Sequence, residues 1–135
     1  MPRAKLILRW VLTVFMVAAG VNHFLSPAPY LGMMPAEIPE HFHLLLVNIS
    51  GVAEIAGGLG LILPATRRLA ASGLIALFVA IFPANLNMAI NDLPLGTKHV
   101  DAWMLWARLP LQLVLIAWAF WYARRDRLPS ADRAT

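Results

Sequence analysis

The amino-acid sequence predicts an all-α protein, a four-helix transmembrane bundle with both termini in the cytoplasm. The chain is 60% hydrophobic and only 13% charged, which is far from the composition of a soluble domain. Its charged residues are grouped in short segments, and the apolar stretches between them are roughly 20 residues long, the length that crosses a bilayer. With 135 residues, the chain is predicted to form a single membrane domain that covers residues 1–135.

Prolines and short polar segments divide the chain into the four predicted spans. The first span ends before Ser26 and Pro27, the second stops at Pro64, and a turn-like linker follows Ile90. The basic and then apolar start of the chain is also typical of a signal peptide, but three further spans and a matching charge pattern favour an uncleaved first helix. The predicted spans cover about residues 5–25, 41–63, 68–90 and 101–122.

Lysine and arginine are distributed asymmetrically between the connections. Nine of the eleven lie on one predicted side, whereas the opposite loops hold Lys98 beside acidic residues. Basic loops stay in the cytoplasm, so both termini are predicted to be cytoplasmic. The pI of about 10.4 would also suit a nucleic-acid-binding protein. However, the basic residues flank the predicted spans, and their role in setting the topology explains them. No nucleic-acid partner is therefore predicted. The nine residues are Arg3, Lys5, Arg9, Arg67, Arg68, Arg124, Arg125, Arg127 and Arg133.

The chain contains no cysteine. This excludes disulfides, thiolate metal sites and cysteine nucleophiles. It also excludes a close functional likeness to four-helix membrane enzymes that pass disulfide electrons to quinones.

Glu54 lies inside a long apolar run, in the segment GVAEIAGGLG. An ionisable residue in the middle of a span is costly to desolvate and is therefore a candidate functional residue. At ~100° per residue, His43 and Ser50 share the helix face of Glu54. The polar residues of all four spans lie in the outer half of the predicted bundle, which predicts an outward-facing polar pocket. The candidate residues are Glu54, Arg108, His23, Asn22, Asn85, Gln112, Ser50 and His43; none is assigned a catalytic role.

Glu54 and Arg108 are predicted to pair, because they have opposite charge and neither tolerates isolation in the hydrocarbon region. Two interpretations stay open: a buried ion pair that only holds two helices in register, and a polar pocket that binds a headgroup or passes a proton. The three outer histidines would be enough in number to bind a metal ion, but their spacing in the sequence matches no metal-binding motif. No metal is predicted.

Small residues at four-residue spacing predict where helices approach closely. The second span carries two such pairs and the third carries a ladder. The pairs are Ala53/Gly57 and Ala56/Gly60, and the ladder consists of Ser72, Ala76, Ala80 and Ala84.

Four segments that together cover nearly the whole chain carry a family resemblance. They are AAGVNHFLSP, ISGVAEIAGGLGLILPATRRLAA, GLIALFVAIFPANLNMAI and WARLPLQLVLIAWAFWY. In this order they resemble the DoxX-like family of small four-span membrane proteins, which implies a bacterial inner-membrane bundle. That family includes subunits linked to thiosulfate:quinone oxidoreduction, components of membrane redox-stress complexes and receptor-assembly factors. The residues that match its motif cores, without an assigned role, are Asn22, His23, Glu54, Asn85 and Arg108.

Two functional hypotheses follow. In the first, the protein is an accessory protein, not an enzyme by itself, that binds a lipid, a quinone, a partner membrane protein or a second copy of the chain. In the second, it is a non-thiol membrane subunit of a quinone-linked oxidoreductase or of a proton-coupled complex. There, Glu54 takes up protons from the outer side and Arg108 holds an anionic or quinone-like group. A transporter is a third class, which with four spans requires oligomerisation.

Overall fold

A computed structural model describes residues 2–92 and 101–124, and within these ranges all regular structure is helical. Four of the helices are long and apolar enough to cross a membrane, and each of their ends lies within three residues of the predicted bound. The predicted linker around Lys98 and the tail residues Arg125, Arg127 and Arg133 lie outside the described residues. The helices are α1 (Arg3–Leu25), α2 (Ala28–Gly32), α3 (His43–Gly60), α4 (Arg67–Ile90) and α5 (Ala102–Ala123), with a 3-10 turn at Glu40–Phe42 before α3.

The long helices pack in the order α1, α3, α4, α5. Helix α3 lies between α1 and α4, and α5 packs against α4. Two clusters of buried apolar residues form the core, one toward each end of the bundle. The larger cluster contains Leu12, Met16, Leu61, Ala71, Leu74, Phe78, Ala119 and Tyr122, and the smaller contains Met33, Met88, Ala89 and Leu105.

Hydrogen bonds bring the start of α1, the α3–α4 connection and the end of α5 together at one end of the molecule, which we call the basic end. The Tyr122 hydroxyl donates to the Lys5 carbonyl oxygen at 2.9 Å. Arg68 Nε donates to the carbonyl oxygen of Ala123 at 3.3 Å, and Arg67 Nε donates to that of Leu61 at 2.9 Å. The described basic residues that were predicted to be cytoplasmic are therefore gathered at one end.

Glycines allow α1 and α3 to approach closely. A Cβ atom on Gly20 would lie 2.6 Å from the carbonyl oxygen of Gly51, and one on Gly58 would lie 3.0 Å from Met16 Cβ. Of the predicted small residues, Gly57 and Gly60 face Leu74 and Ala70 of α4, as helix packing requires.

The predicted packing role of the α4 ladder is wrong within this chain. Ser72, Ala76 and Ala80 are exposed, and only Ala84 is partly buried. Spacing identifies a face of small residues, but the neighbouring helices decide whether that face is covered.

Candidate functional site

A cavity of about 240 Å³ lies between the two core clusters. Five of the eight candidate residues line it: His23 from α1, Glu54 from α3, Asn85 from α4, and Arg108 and Gln112 from α5. The remaining lining residues, mostly apolar, are Phe15, Met16, Ala19, Tyr30, Met33, Phe78, Ile81, Leu111 and Leu115. The sequence-predicted polar residues thus converge from four helices on one cavity.

The other three candidates have different surroundings. Asn22 is exposed, and its Nδ2 donates to the Tyr30 hydroxyl at 2.7 Å. The Nε2 of His43 donates to the Ile38 carbonyl oxygen at 2.8 Å, which holds the segment before α3. Ser50 lines a smaller cavity of about 50 Å³ that shares four lining residues with the larger one, His23, Tyr30, Met33 and Ile81. Asn22 therefore holds the lining residue Tyr30, His43 holds the loop before α3, and Ser50 lies beside the main site.

Glu54 is 6% exposed, and its ion-pair contact is with His23, whose Nδ1 lies 3.2 Å from Oε2. The same Nδ1 lies 2.7 Å from the Ala19 carbonyl oxygen. A carbonyl only accepts, so Nδ1 carries the hydrogen and donates it to Ala19. The contact with Glu54 is therefore electrostatic, and Oε2 is buried without a hydrogen-bond partner.

Arg108 does not form the predicted ion pair with Glu54 among the described residues. Its Nη1 donates instead to Met88 Sδ at 3.6 Å, a weak acceptor for a group that has five N–H donors. The reason lies in the helix order: α1 contacts α3 through Gly20 and Gly51, which brings His23 to Glu54, whereas α5 packs on α4. The two charged groups share the cavity but are held by different helices.

Asn85 and Gln112 form a buried link between α4 and α5. Asn85 Nδ2 donates to Gln112 Oε1, and Gln112 Nε2 donates to the Phe78 carbonyl oxygen. Both polar atoms of the Gln112 side chain, Oε1 and Nε2, thereby form hydrogen bonds within the protein. The carbonyl oxygen of the Asn85 side chain, Oδ1, is buried and has no partner.

Tyr30 and Met33 cover the cavity at the end where α1 ends and α3 begins. The Tyr30 ring stacks on His23, with ring centroids 3.8 Å apart and an interplanar angle of 17°. Met33 is buried. In the sequence this segment predicts only the end of the first span, although prolines such as Pro27 and Pro29 are also typical of a first helical turn. The pocket that was predicted to open outward is therefore lined at this end by a short helix and the residue after it.

Three residues that line the cavity carry polar groups whose hydrogen-bonding capacity is not used within the described part of the protein. Glu54 Oε2 and Asn85 Oδ1 accept hydrogen bonds, and the guanidinium of Arg108 donates them. Buried polar atoms without partners cost free energy, so a bound molecule that supplies both donors and an acceptor would stabilise this arrangement. The set suits binding of a small hydroxylated group more than nucleophilic chemistry.

Substitution of Gln112 by leucine is expected to lower the free energy of unfolding by about 1–3 kcal/mol, because it leaves the buried Asn85 Nδ2 without its acceptor. The double variant Asn85→Leu/Gln112→Leu removes both partners, and its loss should be smaller than the sum of the two single losses. Unfolding in detergent micelles with increasing denaturing detergent measures these differences. Additive losses would show that the two amides are not coupled.

A family model described as a domain of unknown function (DUF8561) matches residues 12–123 of the chain. This range contains all four long apolar helices, except for the first residues of α1, and every residue that lines the cavity. Neither the curated proteins nor the solved structures contain a match to the chain.

Proposed function

We propose that this chain, which belongs to the family of a domain of unknown function, DUF8561, is an integral membrane accessory protein that binds the headgroup of a lipid-soluble quinol. The observation that carries the proposal is the set of unsatisfied groups in one cavity. Glu54 Oε2 and Asn85 Oδ1 need donors, and Arg108 has donors to give. The hydroxyl groups of a quinol ring both donate and accept hydrogen bonds.

The size and lining of the cavity support a small ring rather than a whole lipid. Its volume of about 240 Å³ lies just below the range of ~300–1,000 Å³ that holds drug-sized ligands. Apolar side chains such as Met16, Phe78 and Leu115 form most of its wall. Pockets of this composition bind apolar bodies that carry a few polar atoms.

The four apolar helices and the clustering of basic residues at one end support a location in a membrane. We propose a bacterial inner membrane with the basic end, and hence both termini, in the cytoplasm, by the positive-inside rule. The DoxX-like resemblance points to the same membrane. The exposed ladder of Ser72, Ala76 and Ala80 suits close approach of a helix from a partner membrane protein or a second copy.

The His23–Glu54 contact favours a second candidate function. Two ionisable groups 3.2 Å apart at the wall of the cavity are a suitable pair for taking up a proton released by a bound quinol. In this alternative the chain is a non-thiol membrane subunit of a quinone-linked oxidoreductase or proton-coupled complex, and a partner subunit receives the electrons.

The test compares a ring-only hydroquinone with its oxidised quinone by calorimetric titration of the purified protein. The hydroquinone is expected to bind about two- to tenfold more tightly, because one added hydrogen bond contributes ~0.5–1.5 kcal/mol. The double variant Glu54→Gln/Arg108→Gln should stay folded and lose this preference. Equal binding of the two forms, or a double variant that binds as the wild type does, would contradict the proposal.

A further inference from the structure

The helix order of the bundle leaves one gap in its wall. Close packing joins α1 to α3, α3 to α4, and α4 to α5. Among the described residues, α1 and α5 are held together mainly at the basic end, where Tyr122 bonds to the Lys5 carbonyl oxygen and apolar residues of both helices join the larger core cluster. We call the gap between them the α1–α5 seam.

The cavity reaches the molecular surface at this seam. Phe15 of α1 is 49% exposed and Leu111 of α5 is 56% exposed, and both line the cavity. A side chain that lies on the outer surface and on the cavity wall at the same time marks a mouth. In a membrane-embedded bundle these residues face lipid, so the mouth opens sideways into the hydrocarbon region.

The end of the cavity nearest the start of α3 is covered by a different set of contacts. Tyr30 stacks on His23 and receives a hydrogen bond from Asn22, and Met33 is buried beside it. Entry from this end would have to break the stacked pair. Entry through the seam would have to move only apolar side chains that already border lipid.

From these contacts we infer that the α1–α5 seam is a lateral portal, through which the hydrocarbon tail of the bound molecule extends into the membrane. This inference rests on the proposed quinol binding and adds the chemical class of the ligand: a ring headgroup that carries a long apolar chain. The ring lies among Glu54, Asn85 and Arg108, and the tail passes between Phe15 and Leu111. Because the tail is surrounded by lipid both before and after binding, the mouth determines where the tail leaves the protein and contributes mainly packing contacts.

Two probes and two matched substitutions test the portal. The probes are a ring-only hydroquinone and the same ring carrying a decyl chain. Leu111→Trp places a larger side chain in the mouth. Leu113→Trp makes the same change at a leucine of α5 that is 58% exposed and does not line the cavity. Calorimetric titration in lipid nanodiscs gives each Kd, and thermal unfolding confirms that each variant is folded.

Leu111→Trp is expected to raise the Kd of the tailed probe by about tenfold, because the indole ring overfills the path of the tail at a cost of ~1–3 kcal/mol, and to change the Kd of the ring-only probe less than about twofold. Leu113→Trp should change neither. If Leu111→Trp does not fold, Phe15→Trp narrows the same mouth from α1, with exposed Val14→Trp as its control.

The outcomes separate the two proposals. Equal weakening of both probes by Leu111→Trp, or no effect on the tailed probe, would overturn the portal and leave quinol binding standing. Failure of the wild-type protein to bind either probe would overturn quinol binding and the portal together.

Discussion

Replacement of Gly20 by alanine is expected to lower the free energy of unfolding of the bundle by about 3 kcal/mol, at the upper end of the ~1–3 kcal/mol typical of overpacking. The new Cβ would lie 2.6 Å from the carbonyl oxygen of Gly51 and equally close to Ile55. A backbone carbonyl in α3 does not move aside as a side-chain tip does, so α1 and α3 must separate. Their separation also moves His23 away from Glu54.

Gly73→Ala is the matched control for this prediction. It makes the same change inside a long helix, at a position where a Cβ meets no atom within 4 Å. Alanine favours helix over glycine by about 1 kcal/mol, so the control should be neutral or slightly stabilising. Unfolding of both variants in detergent micelles measures the difference. Equal stability of the two variants would show that the Gly20–Gly51 approach does not limit packing.

Replacement of Arg108 by glutamine is expected to weaken binding of the ring-only hydroquinone about 10- to 150-fold, the loss of one charge-assisted hydrogen bond worth ~1.5–3 kcal/mol. Stability should not fall, because in the described part of the chain the guanidinium bonds only the weak acceptor Met88 Sδ. A half-buried charge without a carboxylate partner contributes little to folding. Arg108→Lys keeps the charge but loses the forked donors, so its affinity should be intermediate.

Arg68→Gln is the control that separates the site from a general effect of charge. Arg68 is exposed at the basic end and donates to the Ala123 carbonyl oxygen. Arg68→Gln changes the net charge of the protein by the same amount as Arg108→Gln does, but it does not alter the cavity. Calorimetry and thermal unfolding should show wild-type affinity for this variant. A fall in stability of Arg108→Gln that matches its fall in affinity would instead identify Arg108 as a structural residue.

The sequence alone was sufficient to predict the helices and to select most of the polar residues at the cavity. Apolar stretches, prolines and charge clusters are local features, so the four long helices lie close to their predicted bounds. Depth along a span is also a local property. It placed His23, Glu54, Asn85, Arg108 and Gln112 in the same half of the bundle, where they line one cavity.

The tertiary structure decided which of these groups meet. Opposite charge predicted Glu54 with Arg108, but the contact of α1 with α3 at two glycines brings His23 to the carboxylate. Tyr30 enters the site through a short helix too small to show a periodic pattern. The gap between α1 and α5 likewise depends on the order in which the helices pack. Helix neighbours are chosen by the summed fit of whole surfaces, and a single sequence carries no local signal for that choice.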